Sequence, residues 1–205
     1  RDPSSPGEAE KPRAKLLFYW GCGDSIGAGQ PRVIDTATMS MEQFGKAMMG
    51  RTGTGQRAPS TGSSRTYGEW PNRRNQDQIP AESSLVGDHF VKGNYTPDIR
   101  FSLDAKRDFM AAVNFSSVSG SVDDGVRFAW DAIPTSIGYF ATAMASRDNG
   151  NEMIIWSSSE VQEPGWGLMD YLTPADVQRF IREKVVMPPS TTRFWPVTKS
   201  ARSAR

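Results

Sequence analysis

The chain has very few of the side chains that most often carry catalysis and bind metals: one cysteine, Cys22, and one histidine, His89, among 205 residues. A single cysteine excludes a disulfide within the chain, and two such residues are too few for an ordinary zinc site. Hydrophobic residues make up only 37% of the chain, whereas glycine (19) and proline (14) exceed their usual shares. This composition predicts a modest core with many turns and long loops, and it predicts neither a metal nor a cofactor.

An excess of charge of one sign and a long apolar run are also lacking. The 24 basic and 23 acidic residues leave a formal net charge of +1, so bulk electrostatics favour no polyanionic partner such as nucleic acid. No apolar run approaches the roughly 20 residues that a membrane-spanning helix needs. Residues 15–22 end in Gly-Cys, as a lipoprotein signal does, but their apolar run is shorter than the ~7–15 residues of such a signal. We therefore predict a buried strand there and no transmembrane segment.

Local composition divides the chain into four parts. Residues 1–14 are polar, contain three prolines and are expected to form a flexible arm. Residues 15–96 are predicted to be a β-rich N-terminal part, interrupted by a long loop over residues 51–80 that is rich in Gly, Ser, Thr and Arg. Residues 97–198 carry most of the strand patterns, and residues 199–205 form a basic tail. The first half either adds strands to the body of the second or forms a smaller β subdomain.

Two short helices are predicted from their start signals. Ser40 with Gln43 three residues later has the spacing of a capping box before an apolar stripe. Thr173 can cap a second helix, because Pro174 suits the first helical position and Asp176 favours the positive end of the helix dipole. Both helices are expected to lie at the periphery of a mainly β protein.

Alternation of apolar and polar residues predicts the strands of the second half. Residues 99–103 alternate and are expected to form a half-buried strand. Val126, Phe128 and Trp130 share one face of another strand, which directs Trp130 into the core. Tyr139 is expected to continue in the next strand after a proline turn. The fold class that these patterns predict is mainly β, an antiparallel β-sandwich with two short peripheral helices.

Residues 128–139, with the sequence FAWDAIPTSIGY, are similar to the pattern Ser-Trp-x-x-Val-Pro-x-Ala-x-Gly-Tyr of fibronectin type III-like modules. In those modules the tryptophan lies in the core and Gly-Tyr begins the next strand. The resemblance implies a fibronectin- or immunoglobulin-like β-sandwich in residues 97–198. The helix predicted after Thr173 departs from it, because such modules usually lack one.

A second resemblance concerns residues 17–23, LFYWGCG, together with residues 29–35, GQPRVID. These segments resemble a stretch of uncharacterised bacterial proteins that are thought to be exported. The resemblance implies a periplasmic or secreted location, and it implies no activity.

Cys22 and His89 are the weak candidates for catalysis. A thiolate–imidazole pair in this chain has only one composition, with Asp24, Asp35 or Asp88 to orient the ring. Nothing in the sequence brings the two residues together, and cysteine is most often a buried, inert side chain. A hydrolase that uses this pair, or a pair of carboxylates, is the alternative to a protein without catalysis.

Two further motifs have simpler interpretations than the sites they resemble. The glycine-rich residues 21–27 follow a strand, as a phosphate-binding loop does, but no helix begins directly after them. Residues 123–125, Asp-Asp-Gly, offer oxygen ligands for calcium but are typical of a hairpin turn. We predict no phosphate or metal site at either motif.

Exposed aromatic side chains are the candidates for ligand binding. Tyr67 and Trp70 lie in the long loop, and Trp166 lies between two glycines. The alternative is that tryptophans fill a β-sandwich core, which we expect for most of the six. The loop also carries arginines that could bind single-stranded nucleic acid or dock a neighbouring protein. A solvated loop is the simpler interpretation at a net charge of +1.

The function that these patterns favour is a non-catalytic, exported or envelope-associated module that binds a protein or a glycan. The sandwich pattern, the shortage of catalytic residue types and the long loops with aromatic residues support it. The sequence indicates neither the ligand nor the oligomeric state.

Overall fold

The computed structural model describes residues 15–23, 25–50, 60, 62, 67–68, 72–121, 125–169, 171–194 and 196. The predicted arm (1–14), Trp70, most of the long loop, residues 123–124 and the basic tail lie outside the described residues.

The described residues are mainly β, with two short α-helices, as the sequence predicts. In chain order the elements are β1 (Lys15–Trp20), β2 (Arg32–Asp35), α1 (Met41–Met48), β3 (Gly87–Val91), β4 (Ile99–Leu103), β5 (Phe115–Ser119), β6 (Arg127–Trp130), β7 (Thr142–Arg147), β8 (Glu152–Ser157), α2 (Pro174–Arg182) and β9 (Arg193–Phe194). Neither helix is long and apolar enough to span a bilayer, which agrees with the predicted lack of a transmembrane segment in this part of the chain.

A four-stranded sheet joins the beginning of the chain to its second half. The strand order is β2-β1-β8-β7. β1 pairs with β2 in antiparallel register and with β8 in parallel register, so that Leu17 lies opposite both Val33 and Ile154. The β1–β8 pair departs from the antiparallel arrangement that all other described strand pairs adopt. Its partners are far apart in sequence, and alternation within a strand does not encode the choice of partner.

A three-stranded antiparallel sheet, in the order β5-β6-β9, contains the predicted tryptophan strand. Val118 and Phe194 lie opposite Phe128 from the two sides. Trp130 is only 4% exposed, which confirms that it is a core residue. Because side chains alternate along a strand, Phe128 and Trp130 share one face of this sheet.

The prediction that Tyr139 continues in the next strand is wrong in detail. Tyr139 forms an isolated bridge with Met187, donating its backbone N–H over 2.9 Å and accepting over 2.8 Å. The next strand, β7, begins only at Thr142 and pairs with β8 in the other sheet. Residues 131–141 therefore cross from one sheet to the other, so the turn that contains Pro134 does not close a hairpin.

β3 and β4 form a separate two-stranded sheet, in which the predicted burial is wrong. Ile99 is 49% exposed and Phe101 is 42% exposed, whereas a half-buried strand would hide both. The alternation predicted the strand correctly, but β3 is its only strand neighbour among the described residues. Burial depends on a covering layer that a local pattern does not reveal.

Both helix caps are formed as predicted. The Ser40 hydroxyl accepts from the N–H of Gln43 over 3.2 Å, and the Gln43 side-chain oxygen accepts from the N–H of Ser40. Thr173 and Asp176 make the equivalent pair at the start of α2. Helix α2 contributes Val177 and Phe180 to a core cluster. Val185 and Val186, which follow the helix in the chain, pack in the same cluster.

Aromatic side chains connect the four-stranded and three-stranded sheets. Trp156 of β8 stacks on Phe194 of β9, with ring centroids 5.6 Å apart and planes 13° apart. Trp130 of β6 meets the edges of Phe194, at 5.5 Å, and of Tyr139, at 5.2 Å. The rings leave a cleft between the two sheets.

Candidate functional site

The aromatic cleft is an open cavity of about 300 Å³ between the four-stranded and three-stranded sheets. Its main lining residues are Phe128, Trp130, Tyr139, Phe140, Trp156 and Phe194. Phe115 of β5, which is exposed, also lines the cavity, as do Thr142 and Ala143 of β7. The lining is almost wholly apolar, which is typical of pockets that bind organic groups.

Strand alternation places these rings in the cleft. Phe128 and Trp130 point from one face of β6, and Phe194 joins them because it lies opposite Phe128. Trp156 is fixed from the other sheet, since its indole Nε1 donates to the carbonyl of Gly21 over 2.8 Å. Four of the six rings are thus held by strands of two sheets, and Tyr139 and Phe140 come from the segment that crosses between the sheets.

Two polar atoms in the wall of the cleft have no hydrogen-bond partner among the described residues. They are the indole Nε1 of Trp130 and the hydroxyl oxygen of Tyr139, and both atoms are buried. A buried polar atom without a partner costs about 1–3 kcal/mol of stability, so native structures contain few of them. Ser157 carries a third such atom, but it does not line the cleft. A ligand that enters the cleft and shifts these side chains, so that the buried atoms become accessible, could supply an acceptor to Trp130 and a partner to Tyr139 and remove both costs.

The surroundings of the Tyr139 hydroxyl lower its pKa. Burial raises the pKa of Tyr139, but the Ser136 hydroxyl, the Trp130 indole and the Ile133 backbone together outweigh it, so the pKa lies below its usual value. The same three groups thus lie near the hydroxyl oxygen, although it makes no hydrogen bond of standard geometry with a described residue.

The cleft opens beside an edge strand. β7 is the last strand of its sheet, and all six of its residues are exposed. Its outer backbone N–H and C=O groups face away from β8 and can pair with another extended chain. Thr142 and Ala143 belong both to this edge and to the border of the cleft.

The structure places Cys22 and His89 on different elements. Cys22 is exposed beyond β1, bridges to Pro196 and lines a second cavity. His89 lies in β3, where its ring stacks on Phe101 with centroids 5.0 Å apart and its Nε2 lies 2.7 Å from the carbonyl of Leu85. His89 is not among the residues that line the cavity beside Cys22. The catalytic pair stays a prediction without support from the geometry of either residue.

The described residues among the other ligand-binding candidates, Trp166 and Tyr67, do not belong to the lining of the cleft. Trp166 is 50% exposed on a short 3-10 helix, and Tyr67 is half-buried. Neither of them lines the aromatic cleft, and Trp70 lies outside the described residues. Sequence reasoning missed the cleft because it treated Trp130 as a filled core position. The unfilled space depends on Trp156 and Phe194, which come from distant strands.

A buried carboxylate, that of Glu163, was also missed. Glu163 is fully buried and accepts from the N–H of Gly165 over 2.8 Å. Its carboxyl group lies so close to Gly50 that a Cβ atom there would overlap with it. Within the described ranges, no group of three or more His, Cys, Asp or Glu side chains is placed to hold a metal ion.

Comparisons with protein families, with curated proteins and with solved structures give no match for this chain. The site must therefore be interpreted from its own geometry and chemistry.

Proposed function

We propose that this chain is a non-catalytic module that binds an extended segment of a partner protein in the aromatic cleft. The observation that carries the proposal is the pair of buried, unpartnered polar atoms on Trp130 and Tyr139. A peptide segment matches them, because a backbone carbonyl accepts from the indole and the hydroxyl can bond a neighbouring amide.

The apolar lining favours a protein ligand over a glycan. A sugar carries a hydroxyl group on most of its carbons, and an apolar wall with two polar atoms would leave most of them unbonded. A leucine or methionine side chain between two peptide groups suits such a wall better. The exposed edge of β7 lies at the same opening, and strand addition to a free edge is a common mode of peptide recognition.

Two further statements belong to the proposal. We propose that the three-stranded and four-stranded sheets form a sandwich of fibronectin-like type, for which the stacked Trp156 and Phe194 rings and the resemblance of residues 128–139 are the support. An experimental structure with the sheets far from the ~30° of aligned sandwiches would contradict this. We also propose a periplasmic or secreted location on the resemblance of residues 17–35 alone. Fractionation that finds the protein in the cytoplasm of its source cells would refute that location.

A titration followed by NMR tests the binding proposal. The probe is N-acetyl-leucine N-methylamide, which has one apolar side chain between two peptide groups. We expect a saturable shift of the Trp130 indole N–H signal at millimolar probe, since a ligand this small binds weakly. The indole signal of Trp166 serves as an internal control and should not move.

Methyl β-glucoside is the matched comparison ligand. A saturable shift of the Trp130 signal with the glucoside, and none with the leucine derivative, would replace the protein ligand by a glycan. No saturable shift with either probe would refute the cleft as a binding site.

A further inference from the structure

The three-stranded sheet has a second face, opposite the aromatic cleft, with a different chemistry. A cavity of about 360 Å³ lies on this sheet. We call it the basic pit and define it by its polar and small lining residues, Ser117, Ser119, Arg127, Ala129 and Arg193; Phe128 and Phe194, which also line the aromatic cleft, complete its lining. Phe128 and Phe194 point to the cleft, so the residues that alternate with them stand on the other side of the sheet.

Strand register produces the shape of the pit. Ser117 lies opposite Ala129, and Ala129 lies opposite Arg193 on the third strand. One row across the sheet is therefore a hydroxyl, a methyl group and a guanidinium group. Because the middle residue is small, the row has a depression at its centre. Ser119 and Arg127 form the neighbouring row and close one side of it.

The two arginines of the pit have no charge partner among the described residues. The guanidinium groups of Arg127 and Arg193 have no ion pair or side-chain hydrogen bond with a described residue, whereas those of Arg107 and Arg147 are both paired with carboxylates. In the part of the chain that the structure describes, no Asp or Glu lines the pit. Arg127 on β6 and Arg193 on β9 are diagonal neighbours on paired strands, and the backbone positions of such neighbours are roughly 7–8 Å apart. The two arginines repel each other there unless an anion lies between them.

We propose that the basic pit binds a tetrahedral oxyanion, a sulfate or phosphate group. A guanidinium group donates two parallel hydrogen bonds to such a group, and these charge-assisted bonds are among the strongest in proteins. The Ser117 and Ser119 hydroxyls supply further donors. The depression over Ala129 gives the anion a defined position between the two charges. The serine and arginine side chains of the pit do not line the aromatic cleft, so this proposal does not depend on the proposed protein ligand.

Titration of the full chain with inorganic sulfate and with inorganic phosphate, at low ionic strength, tests the pit. Binding is followed through the backbone amide signals of β5, β6 and β9. We expect R127A and R193A each to weaken binding by roughly tenfold or more, as the loss of a charge-assisted hydrogen bond does. A129L keeps every charge but fills the depression, and it should weaken binding comparably. R182A is the control: Arg182 is exposed on α2, and its guanidinium group has no ion pair with a described residue, so its loss should leave affinity unchanged.

Glucose 6-sulfate, with glucose as the neutral comparison, distinguishes a free ion from an ester group. If the ester binds more tightly than inorganic sulfate, the pit is assigned to a sulfated saccharide. If the two bind equally, it is assigned to the free ion. Both outcomes support an oxyanion site. Affinity that A129L leaves unchanged, or that R182A lowers as much as R127A does, would show general attraction to positive charge and would overturn the proposal. A failed leucine titration at the cleft would leave these results unaffected.

Discussion

The region around α2 and the region around the β3–β4 hairpin differ in what covers their apolar side chains. Val177, Phe180 and Val185 pack into one cluster in the first region, where Phe180 is 1% exposed. Ile99 and Phe101 stay at the surface in the second. Both regions have regular secondary structure, so the difference lies in whether a second layer covers it.

Polar contacts hold the hairpin region in place of a core. The Asp108 carboxylate accepts from the N–H of Leu85 over 2.6 Å, from the Ser84 hydroxyl over 2.8 Å and from the N–H of Phe109 over 2.8 Å. The comparison teaches that a local sequence pattern identifies a strand, whereas its spatial neighbours decide which faces are buried. Apolar side chains left at the surface are then free to meet a partner.

The largest expected effect comes from truncating one phenylalanine in each region. F180A should lower the free energy of unfolding by about 3–5 kcal/mol, because it removes a fully buried ring from the core. F101A should lower it much less, since that ring is already 42% exposed. Urea unfolding measures both. Equal losses would mean that the hairpin face is covered in solution.

A pair of glycine substitutions contrasts a closed position with an open one. G50A should destabilise the protein by about 1–3 kcal/mol, as overpacking does, because a methyl group there overlaps with the buried Glu163 carboxyl group. G45A should stabilise it by about 0.5–1 kcal/mol, because Gly45 lies inside α1 with open space around it. Thermal unfolding of the two variants gives the sign of each change. A stable G50A would contradict the contact with Glu163.

The smallest expected effect is a pH dependence in the hairpin region. The Leu85 amide, then the Ser84 hydroxyl and the Phe109 amide, hold the pKa of Asp108 below its usual value. Since its pKa is lowered by folding, Asp108 stabilises the folded state above its unfolded pKa of about 3.9, and this stabilisation disappears as the pH falls through the folded pKa. D108N should therefore be less stable than the wild type at about pH 6, with a smaller difference at about pH 2. A difference that is the same at both pH values would contradict this role of the carboxylate.

Features that depend on neighbouring residues in the sequence could be predicted. The caps at Ser40 and Thr173 form as expected, because a capping box needs only residues three positions apart. Burial of Trp130 follows from alternation in β6. The mainly β class with two short helices follows in the same way.

Features that depend on pairing between distant strands could not be predicted. The parallel β1–β8 pair, the contact of Trp156 with Phe194 and the row from Ser117 through Ala129 to Arg193 all require a register. The aromatic cleft and the basic pit are both products of such registers. This is why Cys22, His89 and Trp166, which stand out in composition or local sequence, lie at neither site.

The Tyr139 hydroxyl tests the aromatic cleft most directly, because Y139F removes one unpartnered oxygen and leaves the ring in place. The measurement is the free energy of unfolding of wild type and Y139F, with and without N-acetyl-leucine N-methylamide. We predict that unliganded Y139F is as stable as the wild type or up to about 1 kcal/mol more stable, and that the probe stabilises the variant less than the wild type. An unliganded Y139F that is less stable by about 1 kcal/mol or more, with stabilisation by the probe unchanged, would show that the hydroxyl serves the fold and not a ligand.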